Sequence, residues 1–420
     1  MASVTTKARL VPALLRDRRG FRRFWIGQTI SLFGDQFTLL ALPLVAVLAL
    51  DASPAQMGYL SAAGLLPNLL LSLHAGAWID RRGHRRRVMI AADLGRAGLI
   101  ATIPLAATLG ALSLGQLYAV AFLTGTLSVL FMVAYSTLFV SLVPPQRYVE
   151  ANSLLNGSRA LSFVAGRSLG GLLVKAVSAP LALLADAASF LVSALCLGSI
   201  HPAEPPTEEP RARGMVGGGI RFLARSPVLL PQMAATTTIN FFNYMFNALF
   251  IVYATRSLRV PPGTLGAVLG VAAVGSVLGS VVTGRLSRRI GIGPAFVLGC
   301  LLFPAPLLLI PLAGGGRSLV LALLFLAQLG AGLGVMILDI TGGSIMAAVI
   351  PDQVRARVTG AFLLVNYGIR PLGSLAGGLL GQAIGLRTTL WIATVGAVAG
   401  VLWLLPSPVR ALRQLPSTAS

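Results

Sequence analysis

Apolar residues in this chain come in long runs, not in the alternation of half-buried strands or the one-sided stripes of surface helices. A bilayer core of ~30 Å takes about 20 residues of helix, and runs of that length recur down the chain. They predict membrane spans at 24–50, 56–79, 88–109, 115–141, 153–174, 180–200, 228–254, 264–284, 294–313, 319–350, 358–382 and 388–405. The connections are short except at 201–227, which contains the polar, Pro- and Glu-rich stretch HPAEPPTEEPRARG. That stretch divides the chain into an N-terminal six-helix half (1–200), a cytoplasmic linker (201–227) and a C-terminal six-helix half (228–420). The expected fold class is therefore an all-α membrane protein, with twelve transmembrane helices in two six-helix halves.

Composition supports this reading. Of 420 residues, 55% are hydrophobic and only 11% charged, against about 25% charged in soluble domains, too few to coat a soluble globule of this size. The formal net charge is nevertheless +21, from 33 Lys+Arg against 12 Asp+Glu. In a soluble protein that excess would suggest nucleic acid. Here the basic residues punctuate the runs. With both termini cytoplasmic, 25 of the 33 fall on the cytoplasmic side and five outside (Lys175, Arg256, Arg259, Arg317 and Arg387). This bias follows the positive-inside rule. The charge is thus a topology signal, the expected partners are a lipid bilayer and a small-molecule substrate, and no nucleic-acid partner is expected. Residues 1–23 are polar and basic, and the apolar run after them is too long for a cleaved signal sequence. The expected location is a cell membrane, with multiple passes.

Other classes find little support. Cys196 and Cys300 both sit in apolar runs, with no disulfide framework or metal motif. His74, His84 and His201 form no HExxH-like pair, which argues against a membrane enzyme. The longest non-membrane segments are too short for a sensor domain.

The two halves echo each other. GAWIDRRG at 76–83 returns as GRLSRRIG at 284–291, 208 residues later. Val143-Pro144 returns as Ile350-Pro351 after 207 residues, and RSLGGL from Arg167 as RPLGSL from Arg370 after 203. Three pairs, in order and at a nearly constant offset, indicate a duplicated six-span unit. Parallel six-span repeats build secondary transporters, with the substrate site near the midplane between them.

The stretch GAWIDRRGHRRR (76–87) resembles the signature loop between spans two and three of the major facilitator superfamily. The resemblance extends over all twelve spans. FRRFWIGQTISLFGDQ, ALLADAASFLVSAL and NYGIRPLGSLAGGLLG are similar to the drug-exporter branch that includes macrolide and siderophore exporters. The resemblance implies a multidrug-type efflux carrier of small amphipathic or hydrophobic compounds. It implies proton antiport and alternating access, with no cofactor, the proton gradient as energy source, and function as a monomer. It also implies a cytoplasmic gate. Gly76 would allow close helix approach, Asp80 would face the N-terminal end of span eleven, and Arg81 and Arg85 would tie the halves together, with Gly83 completing the motif. His84 departs from the usual Arg, and the second copy has Arg288 where the first has Asp80, which removes the latch there. Related exporters carry Gly-Pro-x-x-Gly-Gly in span five. Gly166, Gly170 and Gly171 match as helix-packing positions, while Arg167 replaces the Pro.

Charges inside spans are costly and point to function. Four acids are embedded: Asp35, Asp93, Asp186 and Asp339. Asp35 lies on a stripe with Gln28, Ser31 and Thr38, spaced for one helical face and expected to look into the central cavity. Proton handling and a polar packing contact are both open for it. Asp339 follows Gln328 by eleven residues, about three turns, and is a candidate for coupling or substrate contact. Asp186 is expected to make a structural hydrogen bond, and Asp93 to pair with Arg96 or with the motif loop. Arg167 and Arg370 are embedded cations at matching repeat positions, Arg370 sharing a face with Asn366. They keep open the alternative of a facilitator or importer of a polar or anionic solute. Asn240, Asn243 and Asn247 line one face of span seven beside Phe242, Tyr244, Phe246 and Tyr253, which suits a large amphipathic ligand, with polar contact between helices the alternative. Asn68 and Ser72 on span two would add to the same pathway. Small-xxx-small spacings at Gly266/Gly270, Gly275/Gly279 and Gly373/Gly377/Gly381 read as close helix packing.

Overall fold

The computed structural model describes residues 12–82, 84–201 and 215–414, and the side chains of all of these except 13, 72–82, 137, 215, 216 and 356. The regular elements among the described residues are all helices, with no strand among them. The reason lies in the solvent: where apolar side chains exclude water, each backbone polar group needs an internal partner, which a helix supplies within one segment.

The N-terminal half comprises α1 (Ala13–Asp17), α2 (Arg19–Leu48), α3 (Pro54–Arg82), α4 (Arg85–Thr108), α5 (Leu114–Leu142), α6 (Tyr148–Leu161), α7 (Arg167–Val177) and α8 (Ala179–Gly198). Next come α9 (Met215–Arg225), α10 (Leu229–Val252), α11 (Pro262–Ile290), α12 (Ile292–Leu302), α13 (Leu309–Leu312), α14 (Arg317–Val349), α15 (Arg355–Ile384) and α16 (Leu386–Ala399). Among the described residues nine helical segments are long and apolar enough to cross a membrane. α10 and α15 are as long but more polar, because α10 carries three Asn and three Thr and α15 carries Asn366 and Arg370. α3 is also as long, and most of its motif-bearing end lies outside the described side chains.

Local chemistry sets several ends and breaks. Ser53 and Gln56 form a reciprocal capping box at the start of α3: Gln56 N donates to Ser53 Oγ (3.3 Å) and Ser53 N to Gln56 Oε1 (2.8 Å). The fifth predicted span is not continuous. A π-helical turn at Ser162–Gly166 joins α6 to α7 immediately before Arg167. The ninth is broken by a 3-10 turn at Ala305–Leu308, where Pro304 and Pro306 deny the helix its donors. The described end of the linker is helical: α9 packs on α15, so closely that a Cβ on Gly219 would meet the Arg357 carbonyl oxygen.

The backbone adds a repeat pair that the sequence did not disclose. Ser178, between α7 and α8, has φ 95° and ψ 159°. Gly385, between α15 and α16 and 207 residues later, has φ 87° and ψ 155°. Gly suits this conformation and Ser does not. Gly291, with φ 98°, corresponds to Gly83, which lies outside the described residues.

Each half packs on itself, α2 and α4 against α8, and α14 against α11 and α12. The halves meet along two seams, α3 with α15 and α7 with α11. Glycine lets them close. A Cβ on Gly58 would stand 2.8 Å from Gly378 Cα, and one on Gly171 would stand 2.8 Å from Gly266 Cα. Ser61 Oγ and Ser374 Oγ are 3.1 Å apart, and Arg256 pairs with Asp51. All these contacts lie toward one face. Toward the other face, which carries Gly20, Leu142, Ile200 and the segment before Gln414, the second seam parts. Asn152, Asn156, Arg159 and Leu161 on α6 are exposed, as are Val281, Gly284, Arg285 and Arg288 on α11. The cleft between the halves is therefore shut at the face opposite the termini. The outward surface is apolar, with Leu195 at 74% exposure, as a hydrocarbon solvent allows.

Candidate functional site

Inside the N-terminal half, α2, α4, α5 and α8 bring three carboxylates around one guanidinium. Arg96 on α4 pairs with Asp93 one turn before it, and both are buried. Its guanidinium lies between the Phe131 and Phe190 rings, 4.6 and 4.2 Å from their centroids, and donates to Ser128 Oγ at 3.4 Å. Cation–π contacts of this kind compensate a desolvated charge in part. Thr38 on α2 donates to Asp186 on α8, whose carboxylate also accepts from Ser189 at 3.0 Å. Asp35 is half-buried, close enough to Arg96, Asp93 and Asp186 to act on them electrostatically, and has no hydrogen bond among the described residues.

This arrangement corrects the expected role of the Gln28 stripe. Gln28 Nε2 donates to Ser193 Oγ at 3.3 Å, Thr38 bonds Asp186, and Gly27 and Gly34 press on α8. Gln28, Ser31 and Thr38 therefore face the inside of their own half and not the central cleft. Asp35 lies 80–100° around the helix from Gly27 and Gly34, on the side turned to Arg96.

A second group lies between the halves. Arg167 Nε donates to Gln36 Oε1 at 3.1 Å, and its guanidinium covers the Phe163 ring at 4.4 Å. It pairs with no embedded acid among the described residues. Arg370 donates to Tyr244 Oη at 3.1 Å and lies over the Tyr367 ring at 3.8 Å. Tyr244, on α10, is also within electrostatic reach of Arg167, and Asp339 is within reach of Arg370 without forming an ion pair. Asp339 itself is exposed, whereas Gln328 on the same helical face is buried.

The span-seven amides divide. Asn240 Nδ2 donates to Asn366 Oδ1 at 3.1 Å and ties α10 to α15, which makes this pair a helix–helix contact. Asn247 is exposed and bonds Asn243 on its own helix. Phe246 and Tyr253 are core residues and do not line the cleft, a correction to the expected aromatic surround. Asn68 is exposed, and Leu69 beside it reaches toward Gly368 of the other half. Gly166 and Gly170 pack against Gln36 and Phe37 on α2, and Gly171 against α11. The gate positions Gly76, Asp80, Arg81 and Gly83, and Ser72, fall outside the described side chains. Arg85 is described and buried.

Two pockets contain none of the embedded charges, although the second borders Asp186 through Ser189 and Gly34. One, of about 560 Å³, opens on the terminus-bearing face among Arg16, Arg19, Arg23 and His201. The other, about 360 Å³, is an apolar groove between α2 and α8. Neither contains the embedded arginines.

The sequence profile of the Major Facilitator Superfamily matches residues 24–369 and 233–420. The chain belongs to the major facilitator superfamily. It is an integral-membrane transporter and not an enzyme. The superfamily member YfiS of Bacillus subtilis (strain 168), an uncharacterized MFS-type transporter, is 27% identical over 391 residues, covering 89% of each chain. The multidrug efflux pump Tap of Mycobacterium tuberculosis is 28% identical over 415 residues, covering 91% of each. Among solved structures, the nucleoside transporter NupG superposes with a TM-score of 0.74 at 13% identity, covering 92% of this chain and 98% of NupG. A bacterial homologue of the iron transporter ferroportin, in an inward-facing state, gives 0.73 at 17% identity with the same coverage. These structural likenesses describe the superfamily fold.

Gln36, Ser193 and Tyr367 were not among the sequence candidates. Gln36 had a signal: it shares a helical face with Thr29 and Phe33, away from the Asp35 side. Tyr367 precedes Arg370 by three residues, a spacing that places the two together on a helix.

Proposed function

We propose that this transporter exports small amphipathic or hydrophobic compounds in exchange for protons. In this reading twelve spans cross the cell membrane, both termini are cytoplasmic, and a single chain is the working unit. The six-helix halves rock about the cleft between them. With the termini inside, the arrangement described above is the one closed to the exterior.

The observation that carries the reading is Asp35. Its carboxylate lies in the membrane interior without a hydrogen bond among the described residues, next to Asp93, Asp186 and Arg96. Three carboxylates against one guanidinium leave an excess of negative charge in a medium where charge is costly, and a proton carried by one of them reduces it. Asp93 and Asp186 are held by hydrogen bonds, so Asp35 is the group freest to exchange that proton. Taking a proton from outside would favour release of cargo, and losing it inside would reset the carrier. One charge crossing 100 mV supplies ~2.3 kcal/mol, and each pH unit about 1.4. Relatives named as multidrug efflux pumps support the export direction. Asp80, Arg81 and Arg85 would latch the cytoplasmic face when it shuts.

Accumulation of a dye panel in cells expressing wild type, Asp35→Asn and Asp80→Asn tests this. Wild type should lower dye retention and both variants should lose the effect. Retention equal to empty-vector cells in all three would sink the export reading, and export that survives collapse of the proton gradient would sink antiport.

A further inference from the structure

Arg167 and Arg370 stand at matching places in the two repeats, and the packing fixes where each points. Three residues after Arg167, Gly170 packs on α2 of its own half, and four residues after it, Gly171 packs on α11 of the other half. Three residues after Arg370, Gly373 packs on α10 of its own half. Four after it, Ser374 meets Ser61 and the following turn meets Gly58, both on α3 of the other half. At 100° per residue, positions three and four on lie 60° to one side and 40° to the other. Each arginine therefore points into the angle between its own half and the opposite one. The halves touch one turn beyond each arginine, at Gly171 and Ser374, and also just before each, at Val164 with Gly270 and at Gly368 with Leu69, so both arginines lie within the closed part of the seams.

Their charge is incompletely met. Arg167 has Gln36, the Phe163 ring and Tyr244 nearby and no ion pair among the described residues. Arg370 has Tyr244 and Tyr367, with Asp339 beyond ion-pair distance, and its Nε is buried without a hydrogen-bond partner among the described residues. With Asp339 ionised, the group holds one net positive charge in a membrane interior, where an uncompensated charge is strongly unfavourable. Guanidinium groups match a carboxylate or similar oxyanion by paired hydrogen bonds. The Phe163, Tyr244 and Tyr367 rings beside them suit an apolar or aromatic body.

We propose that Arg167 and Arg370, one from each half, jointly bind the anionic group of the transported compound, so that the cargo class is small amphipathic organic acids. This rests on the export reading and narrows it. An anion held by both halves at once would also couple its binding to their relative position.

The purified full chain can be tested by thermal unfolding with a matched set of probes: naphthalene-1-acetate, its primary amide, a naphthylethylammonium salt and inorganic phosphate. Naphthalene-1-acetate should raise the wild-type unfolding midpoint more than the others. Arg167→Gln and Arg370→Gln should each weaken its apparent affinity at least about tenfold, the loss expected for one charge-assisted contact, and leave the amide unaffected. Arg167→Lys and Arg370→Lys, which keep the charge, should retain part of the affinity and control for misfolding. Stabilisation by the amide or the ammonium equal to that by the acid overturns the proposal. So does stabilisation by phosphate alone, or acid affinity kept by both Gln variants. Dye export by wild type without acid binding leaves the export reading standing and removes this one; acid binding without any dye export does the reverse.

Discussion

Ser178 and Arg96 show how single residues reveal strain and dependence in this fold. Ser178 holds a backbone conformation that its repeat counterpart fills with Gly385. Such positions cost a non-glycine residue of order 1–3 kcal/mol, partly offset by the entropy glycine loses on folding. Ser178→Gly should therefore raise stability by about 1 kcal/mol, seen as a higher thermal midpoint with transport unchanged. Arg96 is the guanidinium that three membrane acids of its half surround. Removing one partner of a buried pair leaves the other charge uncompensated, at a cost of ~3–5 kcal/mol in soluble proteins. Arg96→Gln should lower the midpoint clearly, and Asp93→Asn in the same chain should restore much of it. Absence of that rescue would mean that Arg96 matters chiefly through Phe131 and Phe190. At this scale the sequence named the embedded charges but not their company. Burial cost marks Asp35, Asp93, Arg96 and Asp186 individually. Their convergence from α2, α4 and α8 depends on helix rotation, which one chain's periodicity leaves open when every face is apolar. The same ambiguity turned the Gln28 stripe toward α8 instead of the cleft.

Helices were legible as runs of apolar residues, because length alone sets a span. Their interruptions were harder to see. Pro304 and Pro306 announce a break, yet the π turn at Ser162–Gly166 carries no such residue. It ends one residue before Arg167, the position at which the resemblance puts a proline in related exporters, and π turns recur at functional positions. The polar linker also hid α9, whose apolar side covers the start of α15. Glycine spacing was more informative. The predicted small-xxx-small positions Gly275 and Gly279 lie against α14, at Leu329 and Leu333, and Gly266 meets Gly171 across the halves. Gly171→Leu would force α7 from α11, with overpacking of about 1–3 kcal/mol. Detergent-solubilised protein with this change should show a lower midpoint and lost export, whereas Gly157→Ala, at a glycine with open space around it, should leave both unchanged.

For the whole molecule, the repeat offset and the basic-residue bias gave two halves and a proposed orientation. The state of the cleft was not legible, since both closed faces are made by the same sequence. The structure shows closure opposite the termini, with Ser61 Oγ 3.1 Å from Ser374 Oγ. Ser61→Cys with Ser374→Cys, in a chain lacking Cys196 and Cys300, should form a disulfide that fixes this closure. Export should stop on oxidation and resume on reduction. Continued export with the bond formed would exclude rocking about these seams.

In the proposed exchange Asp35 carries the proton. Proteoliposomes loaded with a pH-sensitive dye test this role, by adding an exported compound and following proton movement. Wild type should move protons opposite to the cargo, whereas Asp35→Asn should still exchange cargo down its own gradient but move no protons. Equal proton movement by Asp35→Asn and wild type would contradict the account.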